Sequence, residues 1–103
     1  MSTLGQTKTL PISFSSSGDN IVIAAVAGKL ITVVQLYLVV AGATNITFKD
    51  GATALSGAMP MSTNGSIVLD VNQNLSWFIT SGNFVINSSA AVQVSGEVYY
   101  VQE

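Results

Sequence analysis

Any chemistry done by this chain would fall to five carboxylates, Asp19, Asp50, Asp70, Glu97 and Glu103, and to three lysines, since it has no His, no Cys and no Arg. Those absences remove an imidazole general base, a thiolate nucleophile, a Ser-His-Asp triad, a disulfide framework and a zinc site of ordinary composition. Glycoside hydrolysis needs two carboxyl groups facing each other across a cleft. Asp19 and Asp50 fall in turn-like stretches, Glu103 is terminal, and Asp70 and Glu97 fall on the polar side of alternating segments, so solvated charge is expected at all five. The 22 Ser and Thr have only lysine as a base, which leaves a Ser-Lys pair formally open. Neither glycine-rich stretch matches a phosphate-binding fingerprint. The expectation is a protein that is not an enzyme and uses no cofactor or metal.

Binding partners are narrowed by the same arithmetic. A net charge of -2 with three scattered lysines cannot neutralise a phosphate backbone, which excludes nucleic acid as a partner. Four Asn-x-Ser/Thr triplets begin at Asn45, Asn64, Asn74 and Asn87. Glycosylation needs a secretory route, and Met1 to Lys8 is polar with no apolar run, so these triplets read as surface turns and strand edges. One segment, Ile21 to Ala43, imitates a membrane span. Its internal Lys29 would cost about 2.5–3.5 kcal/mol at a bilayer centre, and its Val, Ile and Thr favour strands. It is expected to form two buried strands joined at Gly28-Lys29, with no membrane partner.

Which elements would position these residues? No window keeps apolar spacing at three and four residues, so helix is not expected. Period-two alternation recurs instead. Leu10, Ile12 and Phe14 share a face, as do Ile46 and Phe48, Ile67, Leu69 and Val71, and Phe84 and Ile86. Val92, Val94, Val98 and Tyr100 oppose Gln93, Ser95, Glu97 and Tyr99. Turn-forming clusters separate these runs, and Asp50-Gly51 and Asn64-Gly65 are the strongest hairpin signals. The pattern predicts an all-β fold of about eight short strands, an antiparallel β-sandwich, jelly roll or barrel. Residues 1–8 form a short N-terminal arm, and residues 9–103 form one domain.

The segment Leu30 to Val40 stands apart. Strict alternation puts Leu30, Thr32, Val34, Leu36, Leu38 and Val40 on one face and Ile31, Val33, Gln35, Tyr37 and Val39 on the other. Both are apolar, so the strand needs two covers, the core and either a second subunit or a crossing loop. Trp77 and Phe78 point to opposite faces of a strand, which leaves one of them outside. With only eight charged residues, the surface has little electrostatic protection against association. The candidate subunit or shell interface is therefore Ile31, Val33, Tyr37, Val39, Trp77, Phe78 and Tyr99.

A resemblance joins these segments. The run from Gly28 through Ala41, Ile46-Thr47-Phe48, Leu55-Ser56-Gly57, Ser62 to Leu69, Trp77-Phe78 and Ser95-Gly96-Glu97-Val98-Tyr99-Tyr100 resembles a family of small tailed-bacteriophage virion proteins. Two positions depart from that pattern, Ser66 in place of a second Gly and Asp70 in place of Pro. The resemblance covers roughly residues 20 to 101. It implies a capsid decoration (cement) or fibre component of jelly-roll-like fold, often trimeric, with no catalytic residue. The expected role is decoration of the outer capsid surface, with a homotrimer bound to the major capsid protein of the assembled shell. A receptor-binding tip of the tail fibre and a carbohydrate-binding β-sandwich are the alternatives.

Overall fold

The computed structural model describes residues 7–70 and 76–103. It contains ten strands and, among the described residues, no helix. In chain order they are β1 (Lys8–Phe14), β2 (Gly18–Ile23), β3 (Ile31–Val40), β4 (Thr44–Asp50), β5 (Thr53–Ala54), β6 (Met59–Met61), β7 (Ser66–Leu69), β8 (Phe78–Thr80), β9 (Phe84–Ser88) and β10 (Val94–Gln102). Most of the expected N-terminal arm lies outside the described residues, and Lys8 already belongs to β1. Val71 and the Asn74 triplet's first two residues also lie outside them.

All pairing is antiparallel, and the second half of the chain pairs with the first in reverse order. β10 lies on β1, β9 on β2, β7 and β8 on β3, and β5 and β6 on β4. Closing pairs then join β10 to β3 and β9 to β4. The result is two sheets, β1-β10-β3-β7 with β8 also on β3, and β2-β9-β4-β5 with β6 also on β4. Two of the eight ladder positions are thus filled by broken strands. The antiparallel β-sandwich expected from alternation is the fold found.

The core explains the alternation. Ile12, Leu36, Leu38, Val40, Val94 and Val98 from the first sheet meet Ile23, Ile46, Phe48, Phe84 and Ile86 from the second. Burying side chains of this size stabilises by about 1.5–3 kcal/mol each. Two polar knots cap the core at the strand ends. Thr44 Oγ1 lies 2.8 Å from Ser88 Oγ and accepts the Ala90 N–H at 3.0 Å. At the β4–β5 turn, Asp50 accepts the N–H of Gly82 at 3.0 Å and of Ser81 at 3.4 Å, tying that turn to the one before β9.

Of the two strongest hairpin signals, Asp50-Gly51 behaves as expected, with Gly51 at φ 58° and Asp50 opposite Thr53. Asn64-Gly65 does not form a hairpin. Asn64 takes the left-handed conformation at φ 67°, but the strands it joins, β6 and β7, pair with β4 and β3 in different sheets. Turn chemistry specifies a reversal of the chain and leaves open which strands pair.

The apparent membrane span is the end of β2, an exposed loop and β3. No helix among the described residues is long and apolar enough to cross a membrane.

Candidate docking surface

β3 carries the surface, and a β-bulge decides which residues are on it. Tyr99 of β10 faces Gln35, but Tyr100 faces Val33, so Val34 is an extra residue on β3. An extra residue reverses the inward and outward parity of everything beyond it. Ile31 and Val33 therefore point inward with Leu36, Leu38 and Val40, and all five are buried. This corrects the strict alternation, and it removes Ile31 and Val33 from the candidate interface, since both are core residues. Phe78 is corrected too. It points inward, its ring 5.2 Å from Phe48 and 5.9 Å from Phe84.

Tyr37, Val39, Trp77 and Tyr99 remain outside, as the sequence placed them. Cross-strand register sets Pro11, Glu97, Tyr37 and Val68 in one row of the outer face, and Ser13, Ser95, Val39 and Ser66 in the next. Ile79 lies opposite Thr32, and Leu30 extends β3 by exchanging backbone bonds with Glu103 at 3.0 and 3.1 Å. Eight large hydrophobic side chains are exposed among the described residues, and six of them belong to this face. They are Leu30, Tyr37, Val39, Val68, Trp77 and Ile79, from 41% exposed at Trp77 to 61% at Val68. Sequence reading missed Leu30, Val68 and Ile79. The signal for Val68 and Ile79 was present, as apolar residues at polar positions of alternating segments.

The polar ends of the aromatic side chains on this face are already engaged. Tyr37 and Tyr99 both donate their hydroxyls to Glu97 Oε1 at 3.0 Å, and Trp77 Nε1–H donates to the Asp70 carbonyl at 2.6 Å. The Glu97 hydrogen bond, and then its charge, holds both phenols above their ordinary pKa of 10.0. Because the folded values are raised, this contribution to stability is complete below pH 10.0 and is lost as pH climbs through the folded values. Replacing Glu97 by Gln should bring Tyr37 and Tyr99 back toward 10.0 in an ultraviolet phenolate titration. An unchanged titration in that variant would refute the Glu97 account.

The outer face of the second sheet has the opposite character. Lys49 Nζ reaches both Asp19 oxygens, at 2.9 and 3.0 Å, and Asn87 donates to Asp19 Oδ1 at 2.7 Å. The Asn87 hydrogen bond, followed by that of Lys49, holds the Asp19 carboxyl below its ordinary range. Asp19 was expected in a turn and is instead the second residue of β2. To reach it, the Lys49 stem crosses β9, where Val85 is buried although it points away from the core. An ion pair crosses this face and covers Val85, while Ile21 beside it stays exposed.

The other carboxylates are dispersed, with Asp50 at its turn, Asp70 at the end of β7 and Glu103 beside Leu30. Among the described residues, no group of three or more His, Cys, Asp or Glu gathers in a metal-binding arrangement. No protein-family model, curated protein or solved structure matches this chain.

Proposed function

We propose that the protein is a non-enzymatic structural component of a tailed-bacteriophage virion, a capsid decoration (cement) protein that binds the assembled shell from outside and stabilises it. One observation carries this reading. Six of the eight large hydrophobics exposed among the described residues share one sheet face, while the opposite face carries one of them, Ile21, beside an internal ion pair. A large exposed apolar face marks a component of a protein assembly, and the sequence resemblance supports a phage shell as that assembly. Its partners in this reading are the major capsid protein and further copies of itself. The reverse-order pairing of the strands supports the jelly-roll connectivity that the sequence resemblance implies.

Co-sedimentation with undecorated shells tests the proposal, with host cells as the competing target. Only three lysines and five acids are available, so apolar and hydrogen-bonded contacts must dominate. Binding to shells should persist from ~0.1 to ~0.5 M salt, although the Debye length falls well below ~10 Å. Decorated shells should also melt at a higher temperature, because a ligand of the assembled state stabilises that state. Binding to cells and not to shells would replace decoration with receptor recognition at a fibre tip.

A further inference from the structure

We infer that the apolar outer face of the β1-β10-β3-β7 sheet is covered by a second copy of this chain, packed face to face about a two-fold axis. The inference takes from the proposed function only that this face is an assembly surface. It assigns the face to self-association, which leaves shell binding to the surface outside it, where Ile21 and Val26 are the exposed large hydrophobics among the described residues.

The state of the polar groups argues for a protein cover over a sugar. Recognition of a glycan draws on free donors beside an aromatic platform. Here both tyrosine hydroxyls are spent on Glu97 and the indole N–H on the Asp70 carbonyl. The face presents apolar surface, three aromatic side chains held by their polar ends, a carboxylate that already has two donors, and the uncharged polar side chains of Thr9, Gln35 and Ser66. Such a surface can be desolvated without orphaning its aromatic donors, and rigid aromatic anchors of this kind lose little side-chain entropy on contact.

Size and shape argue for a second copy. β3 is ten residues long, which at ~3.4 Å per residue makes the face ~34 Å long. Four strand positions spaced ~4.8 Å apart make it ~19 Å wide. Two such faces bury at most ~1,300 Å², within the range of specific interfaces and near its lower end. A flat face is covered best by another flat face, as in a sandwich, where sheets stack ~10 Å apart. Three flat faces around a three-fold axis would meet only along their edges. Ile21, the exposed hydrophobic on β2, points out of the opposite sheet. Contact between it and this face would run head to tail and leave an open chain.

Size exclusion with light scattering at micromolar concentration provides the test. The wild-type chain should elute at twice its 10.7 kDa mass. Val68→Arg should halve that mass with an unchanged β-type circular dichroism spectrum, and Ile79→Arg, the second variant on the face, should do the same. Ile21→Arg, an equal change on the opposite sheet, should remain dimeric. A monomeric or trimeric wild type, or a dimer indifferent to both face variants, would overturn the inference. The two readings fail separately. A dimer that ignores shells refutes decoration alone, and a monomer that binds shells refutes the two-fold pairing alone.

Discussion

Replacing Gly96 by alanine should destabilise the fold by about 3 kcal/mol or more, at the upper end of what overpacking costs. Gly96 lies in β10 opposite Leu38 of β3, the most extensive strand pairing in the molecule. A Cβ at this position would collide with the Tyr37 carbonyl oxygen and stand 2.7 Å from the Leu38 Cα. Both obstacles are backbone, so no side-chain rotation relieves them. Room could come only from parting β10 and β3, which hold the first sheet together and align Glu97 with Tyr37. In a domain of this size, about 3 kcal/mol corresponds to a melting temperature lowered by roughly 12 °C or more. Gly57→Ala is the matched control. Nothing lies within 4 Å of a Cβ there, and the backbone is not left-handed. Thermal melts of the two variants decide the matter, and a Gly96→Ala protein as stable as wild type would show that the strands can part at little cost.

The same strand pair shows what the sequence could and could not reveal. Alternation found the inward residues wherever a strand is regular, as at Ile12, Ile46, Phe48, Ile86, Val94 and Val98, because a half-buried strand writes its burial into period two. It failed at Val34. A bulge among Val33, Val34 and Gln35 leaves no trace when the residues on both sides are apolar, so Ile31 and Val33 were placed outside and are core. It also failed at Asn64-Gly65, where local turn chemistry was read correctly and its long-range partners were not. The candidate face depended on register between distant segments. Tyr37 and Glu97 are sixty residues apart, and only the pairing of β3 with β10 brings them together. Val85 shows the limit from the other side, since its burial depends on a lysine stem drawn across β9 by Asp19.

Phe48→Ala should be the most damaging truncation in the core, at about 3–5 kcal/mol. Phe48 is buried in the middle of β4, which pairs with β9, β5 and β6. Its ring stacks on Phe84 of β9 at 6.0 Å and 11°, and leans on Phe78 of β8 at 5.2 Å and 40°. Phe48 and Phe84 belong to one sheet and Phe78 to the other, so this trio joins the two layers directly. Truncation removes the transfer energy of a large ring, leaves a cavity between sheets, and forfeits two aromatic contacts worth about 0.5–1.5 kcal/mol each beyond burial. The backbone of the same residue anchors the irregular stretch after β5, since its N–H donates to Ser56 Oγ at 3.0 Å and its carbonyl accepts from Leu55 at 2.7 Å. A cavity there should loosen that stretch as well. Against a total stability of about 5–15 kcal/mol for an ordinary domain, a loss of about 3–5 kcal/mol removes a fifth of the margin or more. Phe48→Leu, which keeps much of the volume but forfeits both ring contacts, should cost about 1–3 kcal/mol. Phe78→Ala should cost less than Phe48→Ala, because Phe78 is only half-buried. Urea unfolding of the three variants gives the order directly. A larger loss at Phe78 than at Phe48 would move the centre of the packing away from β4 and toward the sheet that carries the docking face.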